Sequence, residues 1–266
     1  MSESSTVRQA GGRVLVLGTA CMATNVVYHA LSARVSDVVV AIEPPVPRLD
    51  LVRRRVRRLG PLRVIGQLAF QLGVSPWLTR RGAGRVAEIL RASGLRDQPI
   101  PRDRVRAIAS VNSDAARALI AETAPDVIVL SGTRIVGRET LRSTRAPFVN
   151  LHAGITPTYR GVHGAYWALA DGRPDLAGAT VHFVDEGIDT GSVIAHVPVT
   201  PGPEDSFATY PALQLAAGVP PLVAAVEALL AGTRPEGPTV EAPHAALRYH
   251  PTIWEYLGAR FGRRAR

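Results

Sequence analysis

Short apolar runs alternate with amphipathic stretches through the first 150 residues, and their order predicts the architecture. Residues 13–18 form an apolar run closed by Gly18, and residues 24–31 follow with helical composition, giving a first strand and helix. A second run, 37–42, is almost entirely Val and Ile and ends at Glu43-Pro44-Pro45. Continuous runs of this kind suit strands covered on both faces, the hallmark of a parallel sheet. Residues 48–93 read as helices divided at Pro61 and Pro76, with Leu51, Val52, Val56 and Leu59 as an apolar stripe between arginines. Those four, with Val86, Ile89 and Leu90, are expected to be buried against the sheet. A third strand is predicted at 105–111, and Asn112-Ser113-Asp114 can cap a helix over 115–122. Residues 125–130 and 147–150 are the fourth and fifth strand candidates. The second half adds strands at 179–184 and 193–199, a helical stretch over 206–230 broken at Gly218-Val219-Pro220-Pro221, and a terminal helix near 253–261.

This alternation predicts an α/β fold with a Rossmann-like, doubly wound, mostly parallel sheet and an Arg-rich helical insertion at about 48–98. Ligands of such sheets lie beyond the carboxyl ends of the strands. Residues 1–12, polar and small, read as a flexible tail without a secretory signal. The apolar runs are short or interrupted by Pro and Glu, so no membrane partner is expected.

Composition changes the picture in two places. Cys21 is the only cysteine, which excludes an intrachain disulfide and a thiolate metal cluster and makes a reducing, cytoplasmic setting the expectation. The net charge of +9 comes from 31 Arg and no Lys, and it is uneven. Residues 48–106 hold 15 Arg against 4 acids, while the rest of the chain has 16 Arg against 18 acids. Arginines interleaved with Leu, Val and Ile read as solvated helix faces. A basic nucleic-acid-binding module is the weaker alternative, since neither an aromatic RNA-binding pattern nor a helix-turn-helix stands out.

Candidate chemistry is concentrated after the fifth strand. The turn at Gly18–Asn25 lacks the three spaced glycines of a dinucleotide site, so a nicotinamide or flavin enzyme loses its support. In Asn150-Leu151-His152, alternate strand residues point to one side, so an amide and an imidazole share one space. A capping Asn and a core His are the plain alternatives for an isolated pair. The neighbourhood is richer, however: Pro157–Gly161 forms a turn with Tyr159 and Arg160, a helix opens at Gly164, and Asp185, Glu186 and Asp189 lie in a glycine-bounded loop. That loop lacks the ligand spacing of an EF-hand, and no metal is expected.

Over residues 105–235 the chain resembles the folate-dependent formyltransferases, which include glycinamide-ribonucleotide, methionyl-tRNA and amino-sugar enzymes. The resemblance rests on PDVIVLSGTRIVGRETL and on VNLHAGITPTYRGVHGAYWALADGRPDLAGATVHFVDEGIDTGSVI. It implies a formyltransferase-like catalytic domain over 13–243, with 244–266 as a C-terminal helical extension. It also implies Asn150, His152 and Asp189 as catalytic residues, and 10-formyltetrahydrofolate as co-substrate. Arg134, Ile135 and Val136, with Val184, Asp185 and Glu186, are implied at the folate pocket. The implied acceptor is a primary amine of a small molecule: an amino sugar, an amino acid or a natural-product intermediate. Formyl transfer needs an oxyanion contact and a proton moved between two nitrogens. An amide donor, an imidazole titrating near neutrality and a carboxylate orienting it meet those demands.

Three departures bear on the substrate. Residues 153–157 read Ala-Gly-Ile-Thr-Pro where the family has Pro-Ser-Leu-Leu-Pro, and the Gly-rich phosphate loop of the glycinamide-ribonucleotide enzymes is missing near Gly18. So few residues follow Pro243 that full-length tRNA recognition is not expected. Hydrolysis of the folate donor is the rival reaction on the same fold, and a homodimer is left open. His29, His182, His196, His244 and His250 are expected to be structural, with His163 kept as a substrate-contact candidate.

Overall fold

The computed structural model describes residues 9–240, 245–262 and 265. Seven strands form one sheet in the order β3-β2-β1-β4-β5-β6-β7. They are β1 (Ala10–Thr19), β2 (Val35–Glu43), β3 (Val105–Ala107), β4 (Val127–Ser131), β5 (Phe148–His152), β6 (Gly178–Phe183) and β7 (Val193–Pro198). The first five are parallel, and β6 runs antiparallel to both of its neighbours, β5 and β7. The helices are α1 (Met22–Ser32), α2 (Arg48–Leu59), α3 (Pro61–Ala69), α4 (Ser75–Ala92), α5 (Asp114–Thr123), the short α6 (Arg138–Leu141), α7 (Gly164–Ala170), α8 (Tyr210–Leu230) and α9 (Ile253–Phe261). Strand order reverses between β1 and β4, which places the ligand crevice of a doubly wound sheet there.

The sheet is covered on both faces, as its unbroken aliphatic runs require. In β1, Val14 and Val16 join the core beneath α1 and α8, while Leu15 and Leu17 point into the core beneath α5. In β4, Val127 and Val129 face one side and Ile128 and Leu130 the other. Each strand thus supplies two layers through its period of two. A third, aromatic cluster joins Phe70 and Leu78 to Tyr166, Trp167, Phe207 and Tyr256, binding the helices after β2 to α7, α8 and α9.

Several expected boundaries shift. β1 begins at Ala10, inside the stretch read as tail, because Ala10 pairs with Val35. β3 stops at Ala107: the N–H of Val111 is taken by the Glu43 carboxylate at 3.0 Å, so the chain leaves the sheet while Ile108 and Val111 remain buried. α8 runs unbroken through Pro220 and Pro221. Two backbone donors are lost, but Val219 and Leu222 on either side are fully buried, and Gly218 lets the helix lie against Leu151 of β5. Taken whole, α8 is long and apolar enough to cross a membrane by length and composition, contrary to the reading of its interrupted half. Here it packs on the sheet, with only Pro220 and Ala224 exposed.

The stripe on α2 also needs correction. Ile89 and Leu90 of α4 are buried as expected, but α2 has no buried residue: Leu51, Val52 and Leu59 are half-buried and Val56 is exposed. α2 packs on α3, and α3 on α9, so neither lies on the sheet.

Candidate active site

Asn150 and His152 stand two residues apart at the carboxyl end of β5, and antiparallel β6 brings His182 directly opposite Asn150. The His182 ring is oriented by its own backbone. Its Nδ1–H donates to the Phe183 carbonyl at 2.7 Å, leaving Nε2 to accept from the Asn150 amide at 3.1 Å. Burial pushes the His182 pKa down, so the ring is held neutral and its lone pair fixes which end of the Asn150 amide carries the donors.

His152 is oriented from the other side. A carbonyl can only accept, so Nε2–H of His152 donates to the Tyr159 carbonyl at 2.8 Å. The atom left to gain or lose a proton is Nδ1, and the Asp189 carboxylate lies 3.4 Å from it. The loop between β6 and β7 folds back over the strand ends to deliver Asp189. It is tied by the Gly161 N–H donating to Asp189 Oδ2 at 3.0 Å and by Arg160 donating to the Ile188 carbonyl at 2.8 Å. Asp189 has φ of 52°, a left-handed conformation that Asp tolerates better than most residues. The structure therefore brings Asn150, His152 and Asp189 together and adds His182, which the sequence reading had set aside as structural. Its only sequence signal was an alternation with Thr180 on one strand face, and its partner across the strands is set by register. Thr180 holds the residues after β5 by donating to the Gly154 carbonyl at 2.7 Å.

These side chains line a cavity of about 610 Å³ at the strand ends. Another wall is the segment after β4, including Thr133, Arg134, Ile135 and Val136, with Val184 and Asp185 beside it. Glu43, fully buried at the end of β2, anchors that wall through the Arg134 N–H at 2.6 Å, and the Arg134 side chain turns away to the Pro44 carbonyl at 2.8 Å. Val136 is buried in the core under α5, while Ile135 is exposed. Glu186 is not among the cavity residues; it pairs with Arg138 and Arg142 outside. The mouth is completed by Arg55 and Arg58 of α2 and by Arg248, Tyr249 and His250. His163 sits behind His250 and shares a 2.9 Å hydrogen bond with it, whereas His29 and His196 stay away from the cavity and His244 lies outside the described residues. Among the described residues no group of three or more His, Cys, Asp or Glu could hold a metal ion.

Residues 86–219, just over half of the chain, match the formyl transferase family model. The chain belongs to the formyl transferase family. The trifunctional purine biosynthetic protein adenosine-3 of Drosophila melanogaster is 40% identical over 87 residues, which is 32% of this chain and 6% of that protein. The methionyl-tRNA formyltransferase of Pelotomaculum thermopropionicum is 32% identical over 130 residues, 48% of this chain and 41% of the relative. The matched stretch thus spans less than half the length of either. Among solved structures, phosphoribosylglycinamide formyltransferase from Streptococcus pneumoniae TIGR4 superposes with a TM-score of 0.52 at 19% identity, covering 82% of this chain and 98% of that one. A sugar N-formyltransferase from Shewanella sp gives 0.54 at 13% identity, covering 93% and 86%. At these identities the likeness is one of fold.

In this formyl transferase family member, the buried His163–His250 pair couples the site to acid. Burial, then the neighbouring His250, pushes His163 down to about 3; burial, then Arg55, pushes His250 down to about 4. The unfolded chain binds these protons once pH falls below about 6.5, and the folded chain does not until far lower. The pair therefore carries no penalty above about 6.5 and destabilises the fold increasingly as pH falls, down to about 4 for His250 and about 3 for His163. Each histidine adds up to about 1.4 kcal/mol per pH unit to the slope. Urea unfolding across that window should show a shallower slope for His250→Gln than for the parent protein; equal slopes would dismiss the pair as the source.

Proposed function

We propose that the chain transfers a formyl group from 10-formyltetrahydrofolate to a primary amine that also carries an anionic group. The observation carrying this reading is the convergence of Asn150, His152 and Asp189 on one cavity whose other wall is the Gly132–Val136 segment with Val184 and Asp185. A mixed apolar and polar slot of this size suits a flat heterocycle with a few directional hydrogen bonds. When bound, the folate supplies an activated formyl carbon. Asn150 donates an amide hydrogen to the formyl oxygen as negative charge builds there, with its orientation preset by His182. His152 takes the proton of the attacking amine at Nδ1, because its Nε2 proton is committed to Tyr159, Asp189 stabilises the resulting imidazolium, and the proton passes to N10 of the folate as the bond between N10 and the formyl carbon breaks.

The mouth supports the anionic acceptor. Among the described residues Arg55 and Arg58 form no ion pair; Arg55 is partnered through Gln71 at 3.4 Å, and Arg58 lies over the Tyr249 ring. Burial lowers the Arg55 pKa, the mark of a cation held partly out of water without a counter-charge. A phosphate or carboxylate on the acceptor would complete it.

Three measurements test this. Calorimetry with 5-formyltetrahydrofolate, a stable analogue of the donor, should show saturable binding with no metal or nicotinamide added. Mass spectrometry should show one added formyl group on amines carrying a phosphate or carboxylate. Arg55→Ala with Arg58→Ala should raise KM for those acceptors about 10-fold or more while leaving kcat close to normal. No folate binding at millimolar ligand sinks the donor assignment, and an unchanged KM sinks the anionic acceptor.

A further inference from the structure

We propose that α2, α3 and α9 form a docking surface for an anionic lipid bilayer. On α3 and the π-helical turn that follows it (Phe70–Val74), Leu62, Ile65, Ala69 and Leu72 recur at helical spacing along one side. Leu62 is 71% exposed, Ile65 61% and Leu72 72%. The opposite side, Val64, Gln67 and Phe70, is buried. The helix is therefore already satisfied on its core side and presents a second apolar stripe to solvent. α9 extends this face: Trp254 lies against Gly66, where a side chain would collide with the indole, and stays half exposed, with Leu257 and Phe261 exposed further along the same helix. Trp77 stands exposed at the start of α4, with the Arg81 guanidinium over its ring.

The charge around this stripe selects the occupant. Residues 48–81 contain nine arginines and one acid, Asp50. Arg48, Arg53, Arg54 and Arg57, all exposed, form no ion pair among the described residues. Exposed Leu, Ile, Trp and Phe bordered by arginines are the composition of a helix that lies in the headgroup boundary, with aliphatic chains in the acyl region, indoles at the interface and guanidiniums on lipid phosphates. A second copy of the chain fits poorly, since a two-fold contact would set arginine against arginine. A nucleic-acid duplex would engage the arginines and leave the aliphatic stripe in water. This surface shares α2 with the cavity mouth. Docking on a bilayer runs against the sequence expectation of no membrane partner, which rests only on the lack of a long uninterrupted apolar run and does not weigh a surface helix.

The test is flotation of the full chain with vesicles of phosphatidylcholine alone or mixed with phosphatidylglycerol, with neither donor nor acceptor present, so its outcome is independent of formyl transfer. The protein should float with the anionic vesicles only and be released by high salt. Tryptophan emission should shift to the blue, carried by Trp77 and Trp254, since Trp167 is already buried. The triple variant L62Q/I65Q/L72Q, changed only at exposed positions, should keep the parental circular dichroism and melting point and lose at least ~10-fold in vesicle affinity. Quenching of the parent protein by brominated lipid gives a second measurement that needs no variant. The proposal is overturned by no binding to anionic vesicles, by equal binding to neutral ones, by a triple variant that binds as tightly as the parent, or by a parental dimer that the triple variant converts to monomer.

Discussion

Asn150→Ala is expected to lower kcat by about 2 to 3 orders of magnitude with little change in donor affinity, the loss associated with deleting one oxyanion donor. The structure sharpens this, because His182 accepts from the same amide. His182→Ala removes the group that holds the amide in register and should reproduce part of the loss even though Asn150 is intact. At Asp189, the Asn substitution is the informative one. It keeps an oxygen for the Gly161 N–H and tolerates the φ of 52°, so only the charge beside His152 Nδ1 is removed. Asp189→Asn and His152→Ala should each be severe, and their combination should cost far less than the product, as the proposed single proton-handling unit requires. Rates measured by formyl transfer, with melting points as the control, decide the matter. Near-normal turnover in Asp189→Asn would shift attention to Asp185 in the same loop.

Gly154→Ala is expected to damage both fold and turnover. A Cβ there would lie 2.3 Å from the Tyr159 carbonyl, 2.8 Å from His152 Nε2 and 3.3 Å from the Gly164 Cα. Two of those neighbours are backbone and cannot swing aside, so the segment carrying Tyr159 must move. The bond that fixes the His152 tautomer moves with it. Overpacking of this kind costs about 1–3 kcal/mol, and an ångström of displacement in catalytic geometry costs about 100-fold in rate. Gly84→Ala in α4 is the matched control. Nothing lies within 4 Å of a Cβ there, and an alanine in mid-helix should stabilise by roughly 0.5–1 kcal/mol. Denaturant midpoints and kcat for the two variants should diverge; if Gly154→Ala behaves like Gly84→Ala, the tight floor described by the geometry is not present in solution. Gly154 falls within residues 153–157, where the chain departs from the Pro-Ser-Leu-Leu-Pro of the family. The small residue is what allows the Tyr159 carbonyl to reach His152.

The strands were legible because burial on both faces writes itself as unbroken Val, Ile and Leu runs, as in 13–18 and 37–42. Their order in the sheet was not, since nothing local records that β1 lies between β2 and β4. Asn150 and His152 were legible as a pair because two residues on one strand must share a face, whereas His182 reaches Asn150 through antiparallel register across 32 positions of chain. The stripe of Leu51, Val52, Val56 and Leu59 correctly marked one side of a helix. Periodicity states which residues share a side and is silent on whether anything covers it; in α2 nothing does fully. Pro220 and Pro221 misled in the opposite direction, because the local cost of a proline is outweighed where the flanking turns bury Val219 and Leu222.

The absence of any buried residue in α2 has a dynamic consequence. Local opening free energies in a folded protein range from near zero at poorly anchored segments to the global value in the core. The wall that carries Arg55 and Arg58 belongs to the low end of that range, and the wall that carries Asn150, between fully packed strands, belongs to the high end. On the proposed function, ligand exchange at the mouth would proceed by fluctuation of one surface helix, on a timescale independent of the sheet, while Asn150 and His152 keep their alignment.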